Sequence, residues 1–537
     1  MIILLLIASL ISSINATAVV SRSQSYPSSQ PAVYGPKTRL TIGNGVVAPD
    51  GFIRAATLVD GVFPGPLIAA QKGDHFDIEV VNNLRDDNMF TLTSVHWHGI
   101  AQNRTNYADG TSFVTQCPIT PDHSFLHSFS APNQAGTYWY HSHYSCDGLR
   151  GPLVIYDPHD PLAYMYDVDD ASTVITLADW YHYMAKDLIG KNPTPQSMLI
   201  NGRGRYAGGP EHNLSVISVE QGKRYRFRLV QMSCDASVQF SIDGHNLTVI
   251  EADGRLTEPL VVDQLQILAG QRYSVILVAD QPVDNYWLRS LPDAAGATYE
   301  GGTNTAILRY KGARMADPTT VNTSSINPLD ETNLHALINP GAPGTPGYGK
   351  ADINLNLEVS LPGVQYLVNG VSYQPPTVPV LLQILTGTDP SHLLPNGSVI
   401  TLEANKVVEL TLSTTGPGGP HPIHLHGHSF DVVQSAGFAG NSTLNYVNPV
   451  RRDVVNAGSN GQQMVIRWGD RQFGPLVLAL AGTNSEPKVT LTGTSKRMGF
   501  AVIMAESPSD TSAHVGPVPY EWDQLCPIYD HETNLTR

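Results

Sequence analysis

Three pairs of histidines, His96-Trp97-His98, His141-Ser142-His143 and His424-Leu425-His426, are each separated by one residue. Side chains two apart share a face only on an extended strand, so each pair demands a β-strand that presents two imidazoles in one direction. With 19 His in 537 residues, random placement gives roughly 0.7 such pairs, whereas the chain has four when His426-Gly427-His428 is counted. Paired imidazoles suit copper, zinc, iron and nickel, and copper is the leading reading. A zinc site would mix Cys, Asp or Glu into the pairs or use a His-Glu-x-x-His helix, and neither occurs.

The rest of the chain agrees with strands. Val80–Leu84, Thr91–His98, Val216–Val219, Tyr225–Val230, Leu247–Glu251, Tyr273–Val278, Lys406–Ser413, Phe430–Gln434 and Met464–Arg467 are short apolar or alternating blocks bounded by Gly, Asn and Asp. With 47 Gly, 39 Pro and 15% charged residues, the pattern predicts an all-β protein of three β-sandwich domains. The expected division is a leader over 1–18, then domains over 19–160, 161–329 and 330–537, with breaks near Asp157–Pro161 and in the polar stretch Asp317–Asn333. The Pro- and Gly-rich Asn339–Gly349 reads as an exposed connector to the third domain. The histidine pairs fall in the first and third domains, so a shared metal cluster would sit at their interface, with the second as spacer and pocket wall.

The opening MIILLLIASLISSINATA combines an apolar run with an Ala16-Thr17-Ala18 end and reads as a secretory signal. No later stretch has the 18 or more apolar residues that would span a bilayer, Val378–Leu385 and Leu476–Ala481 being the best candidates. Sequons at Asn103, Asn213, Asn246, Asn322, Asn396, Asn441 and Asn534 fit a secreted glycoprotein. A net charge of −15 without runs of like charge argues against nucleic acid or an anionic membrane as partner, and favours neutral or cationic small molecules. Cys117, Cys146, Cys234 and Cys526 predict two disulfides, with three connectivities open from the sequence.

The motifs His96-Trp97-His98-Gly99, His421-Pro422-Ile423-His424-Leu425-His426-Gly427, Cys146-Asp147-Gly148-Leu149-Arg150-Gly151-Pro152 and Leu525-Cys526-Pro527, with Val62-Phe63-Pro64-Gly65-Pro66-Leu67 and Gly222–Arg228, resemble the multicopper oxidases, and within them the fungal laccases. That resemblance implies three consecutive cupredoxin-like Greek-key domains and a monomeric, secreted oxidoreductase that couples one-electron oxidation of phenols or aromatic amines to reduction of O₂ to water, with lignin degradation among its settings. It implies that His96 and His424 are ligands of a type 2 copper. His98, His141, His143 and His426 would serve the two type 3 coppers, and His421 the type 1 copper. It further implies a substrate-binding carboxylate at Asp235, a proton relay at Asp109, an axial Phe500, and disulfides Cys117–Cys526 and Cys146–Cys234.

One expected motif is absent. The family's His-Cys-His-x-x-x-His should follow Gly474-Pro475, but the 23 residues Leu476–Met498 contain neither His nor Cys. That segment should supply the type 1 Cys, a second type 1 His and one further His for each type 3 copper, so fewer coppers are expected here. Agreement resumes at Gly499-Phe500, as a retained or misplaced intron would leave it; a genuinely inactivated paralogue is the competing origin. His143 is also followed by Cys146 at a shorter distance than in the laccases. The alternative functions are a catalytically dead secreted copper-binding glycoprotein, and a multicopper oxidase acting on metal ions or ascorbate.

Overall fold

In a computed structural model, residues 32–143, 146–188, 194–234, 237–292, 304–363, 366–415, 421–437, 440–441, 443–458, 461–469, 477–482, 501–515 and 517–535 are described. The expected leader lies outside them. Strands dominate, in six main sheets that follow the chain as three face-to-face pairs: four and five strands between Val33 and Tyr156, six and five between Val174 and Tyr310, and six and five between Ile353 and Glu506.

The pairs repeat one topology. In each, one sheet holds a parallel contact between its early strands: Lys37–Val47 with His75–Asn83, Val174–Trp180 with Arg224–Gln231, and Ile353–Ser360 with Val407–Thr414. The facing sheet holds another: Leu67–Gln71 with Arg150–Tyr156, Val216–Val219 with Thr305–Tyr310, and Val399–Leu402 with Ala501–Glu506. Parallel neighbours inside a sandwich require crossing connections, so the all-β Greek-key expectation holds. The histidine strands occupy equivalent places. Val95–His98 lies beside Gly136–Ser142, and Pro422–Leu425 lies beside Val477–Gly482; the second pair places Val238–Ile242 beside Asn285–Pro292 at the same positions, without histidine.

Two large apolar cores result. One joins the second and third pairs; the other fills the first pair and takes in Ile503, Ala505, Trp522 and Leu525 from the end of the chain. The helix Tyr520–Leu535 is fastened to the first pair by the Cys117–Cys526 disulfide and by Trp522 Nε1 donating to Thr115 O at 3.0 Å. The second disulfide is Cys146–Cys234, as the resemblance implied. Every cysteine of the chain is thereby used.

Two expectations change. The predicted strand Thr91–His98 forms only over Val95–His98: before it Thr93 makes a single antiparallel bridge to Ile119, and Asn82 Nδ2 donates to the carbonyls of Thr91 and Ile119 at 2.8 Å each. The connector Asn339–Gly349 is not merely exposed: Arg467 donates to the carbonyls of Pro343, Thr345 and Gly347 and pairs with Glu409. Among the described residues no helix is long and apolar enough to cross a membrane, and Val380–Leu385 is a short, largely buried helix.

Candidate metal centre

The strand spacing performs as the sequence demands. Trp97 turns into the first core, fully buried, while His96 and His98 face the other way. Across the antiparallel ladder, His96 stands directly opposite His141. His424 and His426 approach from the third pair: the His96 ring is 4.0 Å from that of His426, and the His98 ring stacks on His424 at 3.7 Å. His143 completes the group, 5.4 Å from His426 and 5.7 Å from His96. Six of the seven predicted histidines therefore converge at the junction of the first and third pairs. His421 lies on the approach to the same strand with its ring against Tyr366 at 5.6 Å. His428 belongs elsewhere, bonded through Nε2 to Glu506 at 3.0 Å.

Four of the six rings are set by a hydrogen bond at Nδ1. His96 donates to Asp109 O at 2.8 Å, His424 to Asp453 O at 2.8 Å, His141 to Ser142 O at 3.0 Å and His426 to Asp109 Oδ2 at 2.9 Å. This fixes the tautomer with a lone pair on Nε2, and the Nε2 atoms of His96, His141 and His424 are buried without a hydrogen-bond partner. Unpartnered buried nitrogens are costly unless something else meets them, so the donor set fits a metal. Donor atoms of His96, His98 and His424 lie within 4.8 Å of one another, as do those of His96, Asp109 and His426. Burial, the largest cause in each case, pushes His96, His98, His141, His143 and His426 down, keeping them neutral as ligands must be. Burial opposes ionisation of Asp109, but His96 and His426 outweigh it and hold the carboxyl well below the usual range.

Asp109 lies between His96 of the first pair and His426 of the third. Asp235 and Phe500 lie outside the described residues. Sequence reasoning missed Asp453 and Arg272, both buried beside the cluster; the signal available was Arg451-Arg452-Asp453, three charges between Val450 and Val454-Val455.

The internal repeat also locates the gap. Ala481, on Val477–Gly482, stands opposite His424 as His141 stands opposite His96. The strand reads Val-Leu-Ala-Leu-Ala-Gly and offers no donor side chain.

His127, also unforeseen, is buried on the strand Ser124–Ser130 and donates from Nδ1 to Ala108 O at 2.9 Å, with Nε2 unpartnered. Burial drives it down to about 4, below the 6.5 of a free imidazole. The unfolded chain therefore takes up a proton that the folded one refuses as pH falls from 6.5 to 4, and stability is lost across that window by up to ~3 kcal/mol, levelling off below it. Urea unfolding at pH 4 and pH 7 should show His127→Phe with a flatter pH dependence than the native chain. Parallel curves would reject the assignment.

Comparisons with known proteins agree with this geometry. Three multicopper oxidase models match residues 41–160, 171–313 and 373–478. Laccase-4 of Trametes villosa is 51% identical over 506 residues, covering 93% of this chain and 95% of its own, and the laccase of Pycnoporus cinnabarinus is 51% identical with the same coverage. Among solved structures, the laccase from Botrytis aclada superposes with a TM-score of 0.78 at 29% identity, covering 94% of each chain. Fet3p, a multicopper oxidase that functions in iron import, gives 0.79 at 27%, covering 92% of this chain and 95% of its own. The chain belongs to the multicopper oxidase family, and within it to the fungal laccases. Its cofactor is copper.

Proposed function

We propose that this chain is a secreted, monomeric phenol and aromatic-amine oxidase whose fourth copper motif is lost, leaving an incomplete copper centre. The observation that carries this is the pair of equivalent ladder positions, His141 opposite His96 but Ala481 opposite His424, in a chain whose cysteines are all in disulfides. His96 and His424 serve as the type 2 ligands, His98, His141, His143 and His426 as type 3 ligands, and His421 as the remaining type 1 ligand. Copper bound in a complete centre supplies one-electron transfer and the reduction of O₂. Asp109 is ionised and serves as the proton relay: its Oδ2 accepts from His426 and from Thr111 Oγ1 at 2.8 Å, while its buried Oδ1 has no hydrogen-bond partner and is free to take up a proton and pass it on. Domain breaks at 160/161 and 329/330 are supported by the strand-free stretches between the sheet pairs. Exposure of Asn103, Asn213, Asn246, Asn322 and Asn396 supports glycosylation.

Genomic sequence around codons 474–500 tests the origin of the gap. A splice or frame that encodes His-Cys-His-x-x-x-His makes the active oxidase the gene's product; none in any frame makes the copper-binding, non-catalytic glycoprotein the product.

In a protein with the motif restored, Asp235→Asn should lower kcat/KM for phenols by about tenfold to a hundredfold, or ~1.4–2.7 kcal/mol. A phenol becomes far more acidic as it is oxidised, so a carboxylate acceptor helps only donors that shed a proton with the electron. Steady-state kinetics on a phenol and on a non-phenolic donor separate the cases. Equal losses on both would assign Asp235 to the fold instead.

A further inference from the structure

We propose that Arg272, in the second sheet pair, is a positioning residue for the metal centre: it locks the ligand-bearing strands of the first and third pairs in register with each other. The inference rests on the reading that the six clustered histidines hold copper. Arg272 contributes no ligand and lies on the strand Arg272–Val278, yet its guanidinium grips both partners. Nη1 and Nη2 donate to Asp453 Oδ1 and Oδ2 at 2.6 and 2.7 Å, and Nε donates to Thr137 O at 3.0 Å. Nη1 also donates to Gly270 O at 3.0 Å, and the Arg272 backbone N–H to Asp253 Oδ1 at 2.8 Å, so the side chain is anchored to its own sheet pair.

Both gripped residues act on ligands. Asp453 O receives His424 Nδ1–H, and Asp453 Oδ1 is 3.5 Å from both His424 Nδ1 and His98 Nε2. Thr137 belongs to Gly136–Ser142, the strand that carries His141, and its N–H is held from the other side by Glu251 Oε1 at 2.8 Å, again from the second pair. Thus one fork of donors ties a first-pair carbonyl to a third-pair carboxylate. Arg suits this task because its planar fork meets a carboxylate in two parallel bonds; a Lys ammonium meets one oxygen at a time.

The glycine of His96-Trp97-His98-Gly99 is explained by the same contact. Gly99 has φ +90, and a Cβ there would lie 2.5 Å from Arg272 Nη2 and 2.8 Å from Asp453 Oδ2. The chain turns on a glycine at this point because the ion pair packs against its backbone.

The test uses the full chain and Cu(II) alone, with affinity measured against a competing chelator and the nitrogen coordination read by electron paramagnetic resonance. Arg272→Lys and Asp453→Asn should each weaken Cu(II) binding by about 10–100-fold and alter the spectrum, the scale of effect seen when groups orienting metal ligands are changed. Gly99→Ala should move both readouts in the same direction without removing a charge. Arg467→Lys is the control: it loosens an equally buried arginine whose partners are Glu409 and loop carbonyls, and should lower the melting temperature while leaving affinity and spectrum as in the native chain. Native affinity and spectrum in both Arg272→Lys and Asp453→Asn overturn the inference, as does an equal loss in Arg467→Lys. A native chain that takes up no copper overturns the reading of the centre and this inference together.

Discussion

Loaded with Cu(II), the chain as it stands is expected to show no intense absorption in the orange-red and to oxidise phenols at background, a loss of about 10⁴-fold or more against a complete laccase, equivalent to ~5 kcal/mol or more of barrier. The strong colour of a blue copper centre comes from charge transfer between the metal and a cysteine thiolate, and the same bond carries electrons onward. Cys117, Cys146, Cys234 and Cys526 are all consumed by disulfides, so no thiolate exists anywhere in this chain. His421 alone cannot replace it. Replacing Leu476–Met498 with a His-Cys-His-x-x-x-His segment, registered so that its first histidine falls at Ala481 opposite His424 as His141 stands opposite His96, should restore both colour and O₂ uptake, because the other histidines are in place. An intense band in the native chain would sink this account. A grafted protein that fills with copper, turns blue and still oxidises no phenol would shift the fault to the shortened His143–Cys146 spacing.

The clustering of the histidines was legible because a two-residue spacing puts both rings on one face only in one backbone conformation: once His96-x-His98 is extended, the direction of both rings follows. The strands Val216–Val219 and Phe430–Gln434 were readable for the same reason, alternation or apolar runs between turn residues. What the sequence could not convey is contact between distant segments. Arg272 and Asp453 are 181 residues apart, and nothing in the local pattern of either says that one clamps the other. His127 looks like a surface histidine between Leu126 and Ser128, and only the packing of Trp97 and Phe125 around it makes it a buried, unprotonated group. The equivalence of the His141 and Ala481 strands was also invisible. It rests on ladder pairing, which the sequences Tyr-His-Ser and Leu-Ala-Gly do not reveal.

Arg452→Met should destabilise the protein by ~3–5 kcal/mol, the cost of removing one partner from a buried charge pair and leaving the other uncompensated. Arg452 is fully buried, and its Nε donates to Asp253 Oδ2 at 2.9 Å while Nη1 donates to Tyr273 OH at 2.9 Å and pairs with Glu331. The network joins three places: Asp253 and Tyr273 in the second sheet pair, Glu331 at the end of the polar stretch Asp317–Asn333, and Arg452 itself in the third pair. Met fills much of the volume but satisfies none of those acceptors. Asp253 keeps some support, since Oδ1 accepts from the Arg272 N–H and lies 3.7 Å from Arg272 Nη1, and Oδ2 accepts from the Val454 N–H at 3.1 Å; but Arg272 is already paired with Asp453, so the damage is a shortage of positive charge more than a lost hydrogen bond. Adding Asp253→Asn should therefore recover part of the loss, with a coupling energy of about 1–3 kcal/mol in a double-mutant cycle. Because the broken pair joins two sheet pairs, calorimetry should also show the unfolding of Arg452→Met broadening or splitting where the native chain gives a sharper transition. Strictly additive single and double variants would mean that Asp253 and Arg452 stabilise the fold independently, and that the apolar core shared by the second and third pairs holds them together without the ion pair.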